Sequence, residues 1–262
     1  MALAIATNNA ALNAAASASS VNRDMETSMA RLSSGKRINS ASDDAAGVAI
    51  SSRLSAEIRG TDQAIRNSLD GQALIDTAEG AHKEIENILQ RMREVTIQAA
   101  NDTNNDQDRA NLQAEIEAMT TEIDRIAGTT TWAGADLMED ATTTFSFQVG
   151  AATGAKNQIS VTIETMNATG LGVGTGTASV VDVTDATKAN TGTGLIDAAI
   201  EDVNIQRSKL GAVSNRLNHT VNNLTNISSN LSAAKGGIED ADFALETTNL
   251  AKNQILQQAS TA

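Results

Sequence analysis

Asp102, Asn104 and Asp106 stand at alternate positions, the spacing with which a calcium loop opens and sets three oxygen ligands around one cation. The match then fails: Gln107 stands where the loop needs a glycine for its turn, and Gln113 where a bidentate glutamate belongs. Turn and helix-cap chemistry accounts for the cluster instead. The histidines, His82 and His219, fall on helical stretches and lack the paired acid or nucleophile that catalysis needs. There is no Gly-x-Ser-x-Gly elbow, no Gly-x-Gly-x-x-Gly and no phosphate loop. The carboxylates Glu84 and Glu86, or Asp43 and Asp44, are too close in sequence to share a helix face, and read as solvated charge or caps. Arg91, Arg93 and Glu94 flank an apolar seam, where surface salt bridges are the ordinary explanation. No catalytic, cofactor-binding or metal-binding residue is expected, and the chain does not read as an enzyme.

What positions these residues is helical. From Ala78 the apolar positions run Ala78, Ala81, Ile85, Ile88, Met92, Val95 and Ala99, in alternating steps of three and four. After a polar break the pattern resumes as Leu112, Ile116, Met119, Ile123 and Ile126, and Gly128 is expected to cap that helix. The short connection predicts an antiparallel hairpin of helices. A third seam follows as Leu210, Val213, Leu217, Thr220, Leu224, Ile227, Leu231 and Ala234, and three such stripes can bury one another as a bundle.

Between the helical parts, Phe145, Phe147 and Val149 alternate with polar residues, as do Ile159, Val161 and Ile163 across a turn-rich loop, which predicts a β-hairpin. The glycines at 170, 172, 174 and 176 lack the strand-to-helix context of a phosphate cradle. Residues 169–178 carry too little apolar surface to do more than connect or cover. Trp132 is expected to plug the end of the helical hairpin. The fold class is therefore mainly α, a long antiparallel helical bundle or coiled-coil rod with a small β-hairpin region in the middle.

Composition narrows the function. Aromatic residues make up 2% of the chain and proline is absent, so the apolar surface comes from Leu, Ile, Val, Met and Ala, the palette of long helices. A formal charge of -13 and a pI near 4.5 argue against nucleic acid or an anionic membrane surface as partner. Cysteine is absent, which excludes a disulfide scaffold and thiolate metal sites. No apolar run reaches the length of a membrane span, and the first twenty residues lack the basic start of a signal peptide.

The ends differ from the rest. Met1 to Asn22 contains no Asp, Glu, Lys or Arg, and Phe243 to Ala262 only Glu246 and Lys252. The few large side chains there, among them Leu3, Ile5, Leu12, Ile255 and Leu256, offer too little surface to offset the backbone entropy of ordering such segments alone. The ends are expected to order on assembly, covered by other copies. Leu217 to Ala234 is likewise free of charged residues, with Asn218, Asn222, Asn226 and Asn230 at steps of four, which predicts a second packing surface within the bundle or between subunits.

The stretch Leu32-Ser-Ser-Gly35-Lys-Arg-Ile38-Asn39-Ser-Ala-Ser-Asp43-Asp44-Ala-Ala-Gly47 resembles the signature of bacterial flagellins. The likeness continues through Leu89-Gln90-Arg91-Met92-Arg93-Glu94-Val95 and Gln98 to Asn101, and recurs in Gly237 to Phe243 and Gln254 to Ala259. It implies a filament subunit: copies polymerise helically into the propeller used for swimming, exported by the flagellar type III apparatus into the extracellular space. It further implies three regions: residues 1–33 plus 240–262 as inner-core terminal helices, disordered in the monomer; 34–138 plus 195–239 as a helical rod; and 139–194 as a β-hairpin and variable segment. The implied partners are other copies of the chain, an export chaperone, the filament cap, junction proteins and a Toll-like receptor of hosts. Positions matching the family's receptor-contacting residues are Arg91, Val95 and Glu115, Val95 being smaller than the family's leucine. Flagellins usually continue past the Gln-Gln-Ala element for several more helical turns, so a chain ending at Ala262 is expected to form a weaker inner tube and chaperone site. The alternatives are a hook-filament junction protein, which resembles flagellin at both ends but carries a larger middle, and a soluble helical adaptor, whose ends would be charged.

Overall fold

The computed structural model describes residues 8–139, 142–175 and 178–261. Of the described residues, 72% are helical. Its helices are α1 (Asn9–Ser34), α2 (Ala45–Ala99), α3 (Asp106–Thr129), α4 (Ala186–Glu239) and α5 (Phe243–Thr261). Between α3 and α4 lie three two-stranded antiparallel sheets: β1 (Thr131–Trp132) with β2 (Ala135–Asp136), β3 (Thr143–Gln148) with β4 (Gln158–Ile163), and β5 (Gly174–Thr175) with β6 (Ala178–Ser179). The chain divides into two compact units, residues 1–59 with 226–262, and residues 60–225.

In the first unit the signature stretch has a physical explanation. Gly35 ends α1 in the left-handed region at φ 69°, which a side chain resists. The chain then runs beside the end of α4, where the Arg37 amide donates to the Glu239 carbonyl and the Ala241 amide to the Gly35 carbonyl. The Asp43 carboxylate accepts from the amides of Asn39 and Ser40, and Asp44 caps α2 by accepting from the Gly47 amide at 2.8 Å. A Cβ on Gly47 would lie 2.6 Å from the side chains of the buried Ile38 and the capping Asp44, so a larger residue would have to displace one of them.

In the second unit α2, α3 and α4 meet through the seams. Ile85, Leu89, Met92, Ile116, Ile123 and Ile196 are fully buried. Arg207 on α4 bridges Glu79 and Glu86 on α2, and Arg93 on α2 meets Asp197 on α4 at 2.6 Å. α3 opens on a capping box between Asn105 and Asp108. Its end corrects the expectation for Gly128: the helix runs on to Thr129, because Thr130 returns both its amide and its hydroxyl to the Ile126 carbonyl and takes over the cap.

The β3–β4 hairpin pairs Phe145 with Val161 and Phe147 with Ile159. It buries Ile159, Val161 and Ile163, and is tied to α2 by Asn67 donating to the Gln148 carbonyl and to α4 by Gln206 donating to the Thr162 carbonyl. Trp132 packs on the core beside a tight turn in which Ala133 and Gly134 both have positive φ. The glycine-rich stretch is more than a cover, contrary to the sequence reading: Leu171 and Val173 are buried in the core, and the neighbouring Val181 and Val183 are held by Gln113 of α3, which donates to one carbonyl and accepts from the other amide. α4 begins at Ala186, nine residues ahead of Leu195, because Asp185 accepts the Lys188 amide as a cap and Gly192 lets Val181 approach where a Cβ would meet it at 2.9 Å.

Candidate assembly and recognition surfaces

α1 and α5 pack against each other in the first unit. Half-buried Ala18, Val21, Met25 and Leu32, with buried Ser28, recur on α1 at the three-and-four spacing of a seam. The contact includes Asn22 accepting from Gln257 at 2.8 Å and Arg31 donating to Glu246 at 2.9 Å. Burial by itself pushes the Glu246 carboxyl up, but hydrogen bonds from Arg31 and Ser28 and the Arg31 charge outweigh it and hold the group below its ordinary value.

The apolar side chains point elsewhere. Leu12 is 60% exposed, Phe243 68%, Leu245 59% and Ile255 66%, and Met29 and Leu256 are also exposed. Large apolar side chains left exposed on a helical pair are the kind of surface that marks a candidate interaction site. Of the terminal residues singled out from sequence, Leu12, Ile255 and Leu256 lie on these outer faces, and Leu3 and Ile5 lie outside the described residues.

The seam residues of the second unit fall into place unevenly. Ile85, Met92, Ile116, Ile123, Leu210, Leu217 and Leu224 are buried, while Ile88, Leu112, Met119 and Val213 are half-buried against the same core. The last part of the α4 stripe is not a closed seam: Ile227 is exposed and Leu231 half-buried. Asn218, Asn222, Asn226 and Asn230 are all exposed, so nothing among the described residues covers the neutral face of α4.

Arg91 and Glu115 form an exposed cluster on α2 and α3. The Arg91 guanidinium donates to Glu115 at 2.9 and 3.1 Å and to Glu94 at 2.9 Å. The carboxylates of Glu115 and then Glu94 raise its basicity further. Val95 does not belong to this surface: it is 1% exposed, because it sits on the seam between Met92 and Ala99 and faces the core.

Sequence reasoning missed what His82 does. It is fully buried, its ring nitrogens make no hydrogen bond of good geometry although the Ala78 carbonyl lies near enough to oppose the shift, and burial pushes its imidazole below the ordinary value. Asp102 is almost fully exposed, with the Arg109 guanidinium 3.8 Å away. Among the described residues no cluster of His, Asp or Glu suits a metal, and no helix is long and apolar enough to cross a membrane.

Residues 5–143 match the family model of the bacterial flagellin N-terminal helical region, and residues 193–262 that of the C-terminal helical region. A flagellin of Halalkalibacterium halodurans is 44% identical over 237 residues, covering 90% of this chain and 85% of that protein. A flagellin of Bacillus subtilis is 43% identical over 284 residues, covering 97% and 93%. Among solved structures, Bacillus cereus flagellin aligns with a TM-score of 0.50 at 31% identity, covering 65% of this chain and 94% of that one. With both terminal regions matched and relatives of this similarity along nearly the whole length, the chain belongs to the bacterial flagellins, structural proteins of the flagellar filament and not enzymes.

Proposed function

We propose that copies of this filament subunit join through the apolar faces that α1 and α5 leave uncovered, with the neutral asparagine face of α4 as a second contact between copies. The observation that carries this reading is the exposure of Leu12, Phe243, Leu245 and Ile255 on a paired helical unit. A chain of net charge -13 repels its copies everywhere else, so charge-free surfaces are where close approach costs least. Non-closing contacts between identical copies generate filaments. The same reading keeps the three regions that the resemblance implies: residues 1–33 plus 240–262 as inner-core terminal helices, 34–138 plus 195–239 as a helical rod, and 139–194 as a hairpin and variable segment. Export by the type III apparatus with a chaperone, and contact with the filament cap and junction proteins, belong to the same reading. Seeded polymerisation followed by sedimentation and negative-stain microscopy tests it. Wild type should grow filaments, and Leu245→Ser with Ile255→Ser should not; growth of that variant at the wild-type rate would overturn the assignment of these faces.

A second reading rests on the exposed Arg91–Glu115 cluster: recognition by a host Toll-like receptor. The side chains available to a receptor are Arg91 and Glu115, and Val95 supports their helix from beneath. Arg91→Ala should abolish the response of receptor-bearing reporter cells. A variant that signals like wild type would sink this reading.

A further inference from the structure

The net repulsion between copies is unevenly placed, and it has an exception. Residues 1–59 with 226–262 hold eight Lys and Arg and nine Asp and Glu, whereas residues 60–225 hold 11 and 23, so nearly all of the charge of -13 sits on the second unit. In the first unit the signature loop and the first turns of α2 enclose a cleft of about 430 Å³, with buried Ile38 and half-buried Val48 as its apolar part. The acid in its wall is already committed: Glu239 accepts from the buried Ser51 and meets Lys36 at 3.1 Å. The donors along its edge are not. Ser52, Ser55 and Arg59, at steps of three and four on α2, have no side-chain hydrogen bond or ion pair among the described residues, and Arg59 is exposed. Two hydroxyls and a guanidinium beside apolar side chains suit a carboxylate, which the described residues of this unit do not supply.

The second unit offers the complement. Between α2 and α3 lies a groove of about 790 Å³, in which Ala81, Ile88 and Ile126 are half-buried against the core. Asp76 and Glu84 stand exposed on its α2 side about two turns apart, and neither has a partner among the described residues. Glu122 on the α3 side is held by Arg125 at 2.6 Å, so the uncompensated charge of the groove is negative. Gly80 lies exposed midway between Asp76 and Glu84, so no side chain obstructs an approach to them.

We propose that the cleft at Arg59 in one copy engages the Asp76–Glu84 edge of the groove in a second copy. Arg59, Asp76 and Glu84 all lack a partner within the chain, and the charges are complementary, so the pairing falls between copies. This rests on the reading that copies join through α1 and α5, and adds an order to it. The contact joins two different surfaces, so it is heterologous and need not close. An exposed ion pair contributes little affinity, but it steers encounter and selects orientation.

Seeded growth of the full chain tests this with charge reversals. Arg59→Glu should slow growth on wild-type seeds several-fold, and Asp76→Arg with Glu84→Arg should do the same, because each places like charges across the contact. Mixed in equal amounts, the two variants should grow together at close to the wild-type rate, since each supplies the surface that the other lacks. Circular dichroism and melting of the unpolymerised variants should match wild type, because the altered side chains are exposed and unpaired. Should a reversal unfold its chain, Arg59→Gln removes the charge alone, and several-fold slower growth is again expected. Growth of either Arg59 variant at the wild-type rate would overturn the proposal, as would a mixture of folded variants that grows no faster than each alone. Failure of the assembly reading looks different: Leu245→Ser with Ile255→Ser would then polymerise normally while mixing still restored the growth of the charge variants.

Discussion

The second unit and the terminal helix pair are made from the same helical palette, yet they use it in opposite ways. In residues 60–225 Ile85, Met92, Ile116 and Ile123 are fully buried, and the charged residues Arg91, Glu94 and Arg93 stand outside. In the terminal pair Glu246 is buried and Arg31 half-buried, while Leu245 and Ile255 face outward. The first arrangement is a finished core that needs no other chain. The second, on the reading proposed above, is half of an interface, with stability that depends on what covers it.

The contrast breaks most visibly on truncation of one aliphatic side chain in each region. Ile123→Ala should cost the second unit about 2–5 kcal/mol, because a fully buried isoleucine leaves a cavity its neighbours cannot close. Ile255→Ala should change the unfolding of the unpolymerised chain by less than about 0.5 kcal/mol, since that side chain already faces solvent. Thermal unfolding and seeded growth together separate the two: the first variant lowers the melting temperature, the second lowers only the growth rate. Equal melting shifts would remove the distinction between a finished core and an open face.

A smaller effect is expected where the core is closed by a glycine. Gly192 on α4 faces Val181 so closely that an added methyl would sit 2.9 Å from it, and Gly192→Ala should cost about 1–3 kcal/mol by forcing that contact apart. At Gly211, where a Cβ meets nothing, the same change should be neutral or slightly stabilising. Denaturant titration of the two variants checks the pair.

This glycine also marks where the sequence stops being readable. The seams through Ile85 to Val95 and Leu112 to Ile126 show themselves because burial repeats with the helix period. The β3–β4 hairpin shows itself because burial alternates. Gly192 and Val181 are neighbours only in space, so no period announces that a stretch of Thr and Gly is helix, or that Leu171 and Val173 enter the core. Val95 was legible twice, as seam and as recognition residue, and burial decides for the seam. At Gly128 the cap signal was real chemistry in the wrong place, since Thr130 supplies a cap with two hydrogen bonds. The alignment of α1 on α5 needed the structure, because only the pairing shows that Glu246 is the buried end of an ion pair.

Acid distinguishes the regions next. His82 is buried neutral, with its imidazole depressed below 6.5 first by burial, the Ala78 carbonyl and Glu79 opposing and Arg207 assisting. Its contribution to stability is present above about pH 6.5 and is lost as pH falls below that value, because the unfolded chain binds a proton that the folded one refuses. The loss runs at up to about 1.4 kcal/mol per pH unit. Glu246 is a depressed carboxylate, so its contribution is present above its ordinary 4.5 and is lost only as pH falls through its lower folded value. The second unit should weaken first, and His82→Leu should flatten its slope between pH 6.5 and 5 while leaving the terminal pair's response unchanged. A wild-type slope unaltered by that substitution would mean that His82 finds a partner in solution.

The smallest effect belongs to the segment that leads into α4. The Asp182 carboxyl is held at about 2, first by the Lys188 ammonium at 2.8 Å and then by the Thr184 hydroxyl at 2.6 Å and amide at 2.8 Å. Its contribution to stability is therefore present above 3.8 and fades as pH falls toward 2. Because both partners are well exposed to solvent, Lys188→Met should cost less than about 1 kcal/mol, although it should move the Asp182 titration visibly upward toward 3.8 in carboxyl-detected NMR. The measurement reads geometry more than energy. Lys188 reaches Asp182 only if α4 starts at Ala186 and Val181 is drawn onto Gly192, so an Asp182 that titrates at its ordinary value would mean that this end of the helix is not held, and the core of the second unit would then end one turn earlier than Ala189.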